Sequence, residues 1–185
     1  MSMQLFATRP HILKMRFFNY FLMDIRFGAI MYYAVVILFM LVFPLASIGL
    51  ETLVFHGSLA FVIVAVKWFV FWAVGVRLFT AGLRQAIDPN FTAKKIFKFK
   101  TSEPVIIIRE LGFANIALGT AALLSILNPA WLIPFAMAGC LFYGLAGFNH
   151  LAKSQRNPTE NLAAFSDLFV FAVLLVCLVG YVALI

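Results

Sequence analysis

Five long apolar stretches, joined by short polar connectors, make up most of the chain from residue 28 onward. They cover 28–50, 58–87, 104–127, 130–152 and 161–185. A helix needs about 20 apolar residues to cross a hydrocarbon core of roughly 30 Å, and every backbone polar group inside that core must be satisfied internally. Each stretch is long enough, so the pattern predicts an all-α membrane protein, a bundle of five transmembrane helices. Residues 1–27 precede the first span. From His11 to Phe27 they mix Lys14, Arg16 and Arg26 with Leu13, Phe17, Phe18, Phe21 and Leu22. That mixture predicts a basic amphipathic segment that lies in the membrane interface or extends the first span. The long basic lead and the spanning-length run behind it are not typical of a secretory signal, with Pro44-Leu45-Ala46-Ser47 the one weak cleavage signal.

Helix punctuation supports the division. Asn157-Pro158-Thr159-Glu160 offers an N-cap, a proline at the first helical position and an acid at the third. Asn128-Pro129 opens the fourth span in the same way after a tight turn. Spans three and four therefore read as an antiparallel hairpin. A small-residue stripe runs along each: Gly112, Asn115, Gly119 and Ala122 on one, Ala136, Cys140, Gly144 and Gly147 on the other. Small residues let transmembrane backbones approach closely. These two stripes are expected to face each other.

Charge orients the bundle. The N-terminal segment, the second connector and the fourth connector hold Arg9, Lys14, Arg16 and Arg26, then Lys94, Lys95, Lys98 and Lys100, then Lys153 and Arg156. The first and third connectors and the C-terminus hold no Lys or Arg. Loops rich in Lys and Arg stay cytoplasmic. An odd number of spans then places the N-terminus in the cytoplasm and the C-terminus outside. Lys94, Lys95, Lys98 and Lys100, interleaved with Ile96, Phe97 and Phe99, read as a lipid-headgroup contact or as plain orientation signal.

Composition closes off other classes. The chain is 64% hydrophobic and 11% charged, against about half and a quarter for a soluble domain. Its net charge of +7 is split among connectors between apolar runs. That distribution fits anionic lipid headgroups as the partner and argues against nucleic acid. Cys140 and Cys177 sit mid-span and read as small apolar residues.

The remaining ionisable groups lie inside the spans, where each costs about 2.5 to 3.5 kcal/mol on insertion scales. Counting 1.5 Å per residue from the cytoplasmic helix ends, Arg84 lies about 6 Å in and Arg77 about 16 Å, Arg109 and Glu110 about 8 to 9 Å, and Asp167 about 14 Å. His150 is near the inner end of the fourth span. Lys67 sits toward the outer side and is expected to snorkel. Adjacent residues do not face each other on a helix. Glu110 is therefore expected to pair with Arg77 or Arg84, and Arg109 with Asp167 or Glu160. Arg77, Arg84, Arg109, Glu110, Asn115, Asn149, His150 and Asp167 form the candidate ligand-binding set. The same set also reads as glue that fixes helix packing. No paired histidines at one depth, phosphate-binding loop, nucleophile elbow or metal-binding helix motif is present. Neither a haem nor a metal site is expected, no residue is assigned a catalytic role, and an enzyme is the least expected class.

Three short segments carry a resemblance: Arg77 to Gln85 (RLFTAGLRQ), Arg109 to Gly119 (RELGFANIALG) and Gly144 to His150 (GLAGFNH). Across spans two to five the chain resembles the small DoxX-like membrane proteins of bacteria. The resemblance implies a helical bundle in the bacterial inner membrane. Some of those families are linked to quinone or sulfur redox systems. This chain has an additional first span and no redox cysteine, so the resemblance extends to fold and location, not to an activity. Two functional readings result. One is a cytoplasmic-side polar cluster that binds a small anionic or quinone-like ligand, as an accessory to a larger system. The other is a structural or assembly subunit. A membrane protein partner or a homo-oligomer fits either.

Overall fold

The computed structural model describes residues 30–54, 60–92 and 104–183. The basic N-terminal segment and Lys94, Lys95, Lys98 and Lys100 lie outside the described residues. The chain divides into two compact units, Met1–Ala34 and Val35–Ile185. In the first, the Tyr32 and Tyr33 rings meet edge to face at 6.3 Å. Apart from the first residues of the first long helix, all that follows concerns the second.

Among the described residues, five helices are long and apolar enough to cross a membrane. They are α1 (Ile30–Val54), α2 (Phe61–Ile87), α3 (Pro104–Leu124), α4 (Leu132–Ala152) and α5 (Pro158–Val182). All regular structure among the described residues is helical. A 3₁₀ turn at Pro129–Trp131 leads into α4, and the Asn128 side chain accepts from Ala130 N at 3.2 Å. The expected capping box at α5 is present. Asn157 Oδ1 accepts from Glu160 N at 2.9 Å, and Glu160 Oε2 accepts from Asn157 N at 3.1 Å. The fifth helix therefore starts at Pro158, as the punctuation predicts and three residues ahead of the apolar run.

Two helices widen locally into π turns, in which N–H groups bond five residues back rather than four. In α1 the widened stretch Leu38–Val42 directly precedes Pro44, and Phe43 N–H reaches Leu38 O. Pro44 has no N–H to give Met40, and its ring would crowd that carbonyl in a regular α-helix. The wider turn relieves the clash. A second π stretch, Leu50–Val54, ends α1. In α2 the stretch Val70–Val76 occupies the middle of the helix.

The glycine stripes set the packing, but with different partners from those expected. The stripe on α3 lies against α2, where Gly82 and Gly75 meet it. A Cβ at Gly119 would lie 2.5 Å from Phe79 N, and one at Gly82 would lie 2.6 Å from Gly112 O. No side chain fits between those backbones. The stripe on α4 lies against α5: a Cβ at Gly144 would be 2.7 Å from the Phe171 ring. Helices α3 and α4 barely touch, so the expected packing of one stripe on the other is corrected. A stripe defines a face that wants a close neighbour. It does not define which neighbour.

The core is centred on α2. Val64, Val66, Phe69, Val70, Ala73 and Val74 are each 2% exposed or less. The outward faces are mainly apolar, with Ile106, Leu145, Phe165 and Val176 at 69%, 73%, 72% and 70% exposed.

Candidate functional site

Two polar clusters sit at different heights along α2. The first joins α2 to the end of α1. Lys67 Nζ meets Glu51 Oε1 at 2.5 Å, and Trp68 Nε1 donates to Glu51 Oε2 at 2.5 Å. The ammonium also lies 5.1 Å from the centre of the Trp68 ring, within cation–π range. One turn further along, Trp72 Nε1 donates to Ser47 Oγ at 2.9 Å, and Phe43 packs on the Trp72 ring at 4.8 Å. Lys67 is thus not a snorkelling residue, as its position in the sequence implied. It is tied to an acid on the neighbouring helix. Both carboxylate oxygens of Glu51 are occupied.

The second cluster gathers residues of α2, α4 and α5. Tyr143 and His150 are two turns apart on one face of α4. Tyr143 is 2% exposed, and its hydroxyl donates to Ala73 O of α2. In a regular helix Ala73 O would accept from Arg77 N–H. Here that N–H goes to Trp72 O and Val74 O instead. The π stretch therefore turns the Ala73 carbonyl over to the tyrosine, so a backbone irregularity in one helix becomes a side-chain bond to another. Arg77 follows immediately, and its charge acts on both Tyr143 and Asp167. Asp167 of α5 faces His150 of α4, with Nε2 and Oδ2 3.9 Å apart and both side chains largely buried, 17% and 13% exposed. That separation is too long for a hydrogen bond. His150 Nδ1 is buried and has no hydrogen-bond partner among the described residues. Lys153 and Glu160 also act on the imidazole, and they pair with each other at 3.0 Å.

The expected site residues thus separate into groups. Arg77, His150 and Asp167 come together. Asn115 is 4% exposed and lies apart from them, where its Nδ2 donates to Gln85 Oε1 at 2.8 Å across the α2–α3 contact. Arg84, Arg109, Glu110 and Asn149 are exposed. Glu110 forms no ion pair with Arg77 or Arg84, which corrects the expected pairing. Nor does Arg109 pair with Asp167 or Glu160. Asp167 faces His150 and Arg77, while Glu160 closes its helix cap and binds Lys153. The physical reason is azimuth: the α3 face that carries Arg109 and Glu110 turns away from α2.

Sequence reasoning missed Tyr143, Gln85 and Glu51. Tyr143 stands seven residues before His150 and beside the small residues Cys140, Gly144 and Gly147. That spacing could have placed it on the same face. Nothing in the sequence marks the π stretch that supplies its partner.

A separate apolar cleft of about 130 Å³ lies between α1 and α5, lined by Val36, Met40, Leu162, Phe165 and Phe169 among others. None of Arg77, Tyr143, His150 or Asp167 lines it. No protein-family model, curated protein or solved structure matches the chain.

Proposed function

We propose that the chain is an integral protein of the bacterial inner membrane, related to the DoxX-like proteins, with its N-terminus in the cytoplasm and its C-terminus outside. Its cytoplasmic-half cluster of Arg77, Tyr143, His150 and Asp167 holds a small hydrogen-bonding ligand, anionic or quinone-like, in the service of a larger system. Three features support insertion: five helices of spanning length, outward faces that are mainly apolar, and connector Lys and Arg that fall on alternate connectors.

One observation carries the ligand reading. His150 Nδ1 is buried without a hydrogen-bond partner among the described residues, beside a carboxylate 3.9 Å from the other ring nitrogen. A buried polar atom left unmade is costly, and ionisable groups inside spans commonly mark function. His150 offers the ligand one directional hydrogen bond. Arg77 offers positive charge, and Asp167 balances that charge when the site is empty.

The structural reading has its own support in the close α2–α3 contact and the Tyr143–Ala73 bond, which hold helices together without any ligand. Native mass spectrometry of the full chain, with lipids and small molecules retained, separates the two. The ligand reading expects a co-purifying small molecule that is lost in His150→Ala while the thermal midpoint changes little. A destabilised His150→Ala with nothing bound to the wild type overturns it. For topology, reporter fusions at residue 185 and within 94–100 are expected on opposite sides of the membrane. Same-side results end the five-span reading.

A further inference from the structure

Among the described residues, helix α3 is held mainly from one side. The face that carries Ile108, Gly112, Asn115, Gly119 and Ala122 is buried, with α2 lying along it. At about 100° per residue, the opposite face is centred on the line that runs between Arg109 and Glu110. Ile106, Phe113, Ala117, Thr120 and Leu124 fall on that line, and all five are exposed. Arg109 and Glu110 stand on its two edges, also exposed, with no hydrogen bond or ion pair to any described residue. Apolar residues alone would suit lipid. A charge of each sign, side by side at one height about 8 Å along the helix from Pro104, does not.

We propose that this face of α3 binds the same face of a second copy of the chain. The inference rests on the membrane-spanning reading and is independent of the ligand reading. Two copies inserted with one topology are related by a two-fold axis along the membrane normal, so residues of equal height meet. Under that axis a residue on one edge of the contact lies across from the residue on the other edge. Arg109 of each copy therefore faces Glu110 of the other, and the contact forms two reciprocal ion pairs around a stripe of Ile106, Phe113 and Ala117. The pattern is that of flanking charges beside the seam of a parallel coiled coil. A single charged residue would ask only for an opposite charge on some partner. Two opposite neighbours on the edges of one stripe are complementary to themselves. Ala117 and Thr120 are small enough to admit a close approach once the charges have set the height.

The experiment uses the full chain in nanodiscs, with Arg109→Glu, Glu110→Arg and the double reversal. Oligomeric mass is read by light scattering and native mass spectrometry. The wild type is expected to be a dimer. Each single reversal sets like charges against each other and is expected to weaken dimerisation about tenfold or more, while the double reversal restores it. Ala117→Cys is expected to cross-link between copies in the wild-type background and not in either single reversal. Carbonate extraction tests insertion separately, so a chain that fails to enter the membrane is not mistaken for one that enters as a monomer. An inserted wild type that is monomeric overturns the proposal. So do single reversals that dimerise as well as the wild type, a double reversal that is no better than the singles, and a dimer that does not cross-link at Ala117.

Discussion

The two clusters along α2 are made from similar materials and end in opposite states. At Glu51 an acid, a base and an indole close on one another, and both carboxylate oxygens are used. At His150 an acid and two bases share a buried space, yet the nearest side-chain atoms of the His150–Asp167 pair stand 3.9 Å apart and Nδ1 has no hydrogen-bond partner among the described residues. Burial is comparable, with Glu51 at 16% and Asp167 at 13% exposed. Burial therefore does not tell the two clusters apart. Satisfaction does. A closed cluster contributes to the fold, and removing one member strands the others. An open cluster holds capacity that the fold itself does not use.

The comparison can be broken most severely at the close contact between α2 and α3. Gly119→Leu forces a branched side chain against the backbone of Phe79 and is expected to cost about 3 kcal/mol, with loss of both clusters. Thermal unfolding in detergent checks it. A silent Gly119→Leu would mean that α3 can leave α2 without consequence. Next in size is Glu51→Gln, which leaves Lys67 without its counter-charge. Partial exposure reduces the penalty for a fully buried pair to about 2 kcal/mol. Combining it with Lys67→Met is expected to recover most of the loss. Additive losses in that pair would show that the closed cluster is not a unit.

Tyr143→Phe is a smaller change that sharpens the comparison. It removes one hydroxyl and leaves Ala73 O facing a ring edge, at about 1 to 2 kcal/mol. Because the same bond sits one turn from Arg77, it is also expected to loosen hydrogen-exchange protection over Val70–Val76. Unchanged exchange there would separate Tyr143 from the π stretch. The smallest effect is expected at Asp167→Asn, below about 1 kcal/mol or slightly stabilising, because an open site is often less stable than its neutral replacement. If Asp167→Asn destabilises as strongly as Glu51→Gln, the two clusters are alike and the distinction fails.

Much of this architecture is legible in one dimension. The five helices, the two caps and the presence of charge at mid-span follow from counts along the chain. Arg77, His150 and Asp167 were all identifiable, because apolar surroundings make an ionisable residue conspicuous. Their company was not. Asp167 was expected near Arg109, and Glu110 near Arg77 or Arg84. Both expectations compared heights, which sequence supplies, without the azimuth between helices, which it does not. The α3 stripe is the clearest instance. The spacing of Gly112 and Gly119 predicts a packing face, and they form one, but against α2 instead of α4.

The sequence by itself determined the helices, their lengths and which face of α3 and α4 carries small residues, because hydrophobic run length and the 3.6-residue period are local properties. Only the tertiary structure decided which helix each face meets. It also decided that Lys67 finds Glu51, and that Ala73 gives its carbonyl to Tyr143. Those outcomes depend on the rotation of whole helices about their axes and on π turns in mid-helix. A π turn adds a residue to the turn without changing the pattern of residue types, so everything beyond it points in a direction that the pattern alone does not specify.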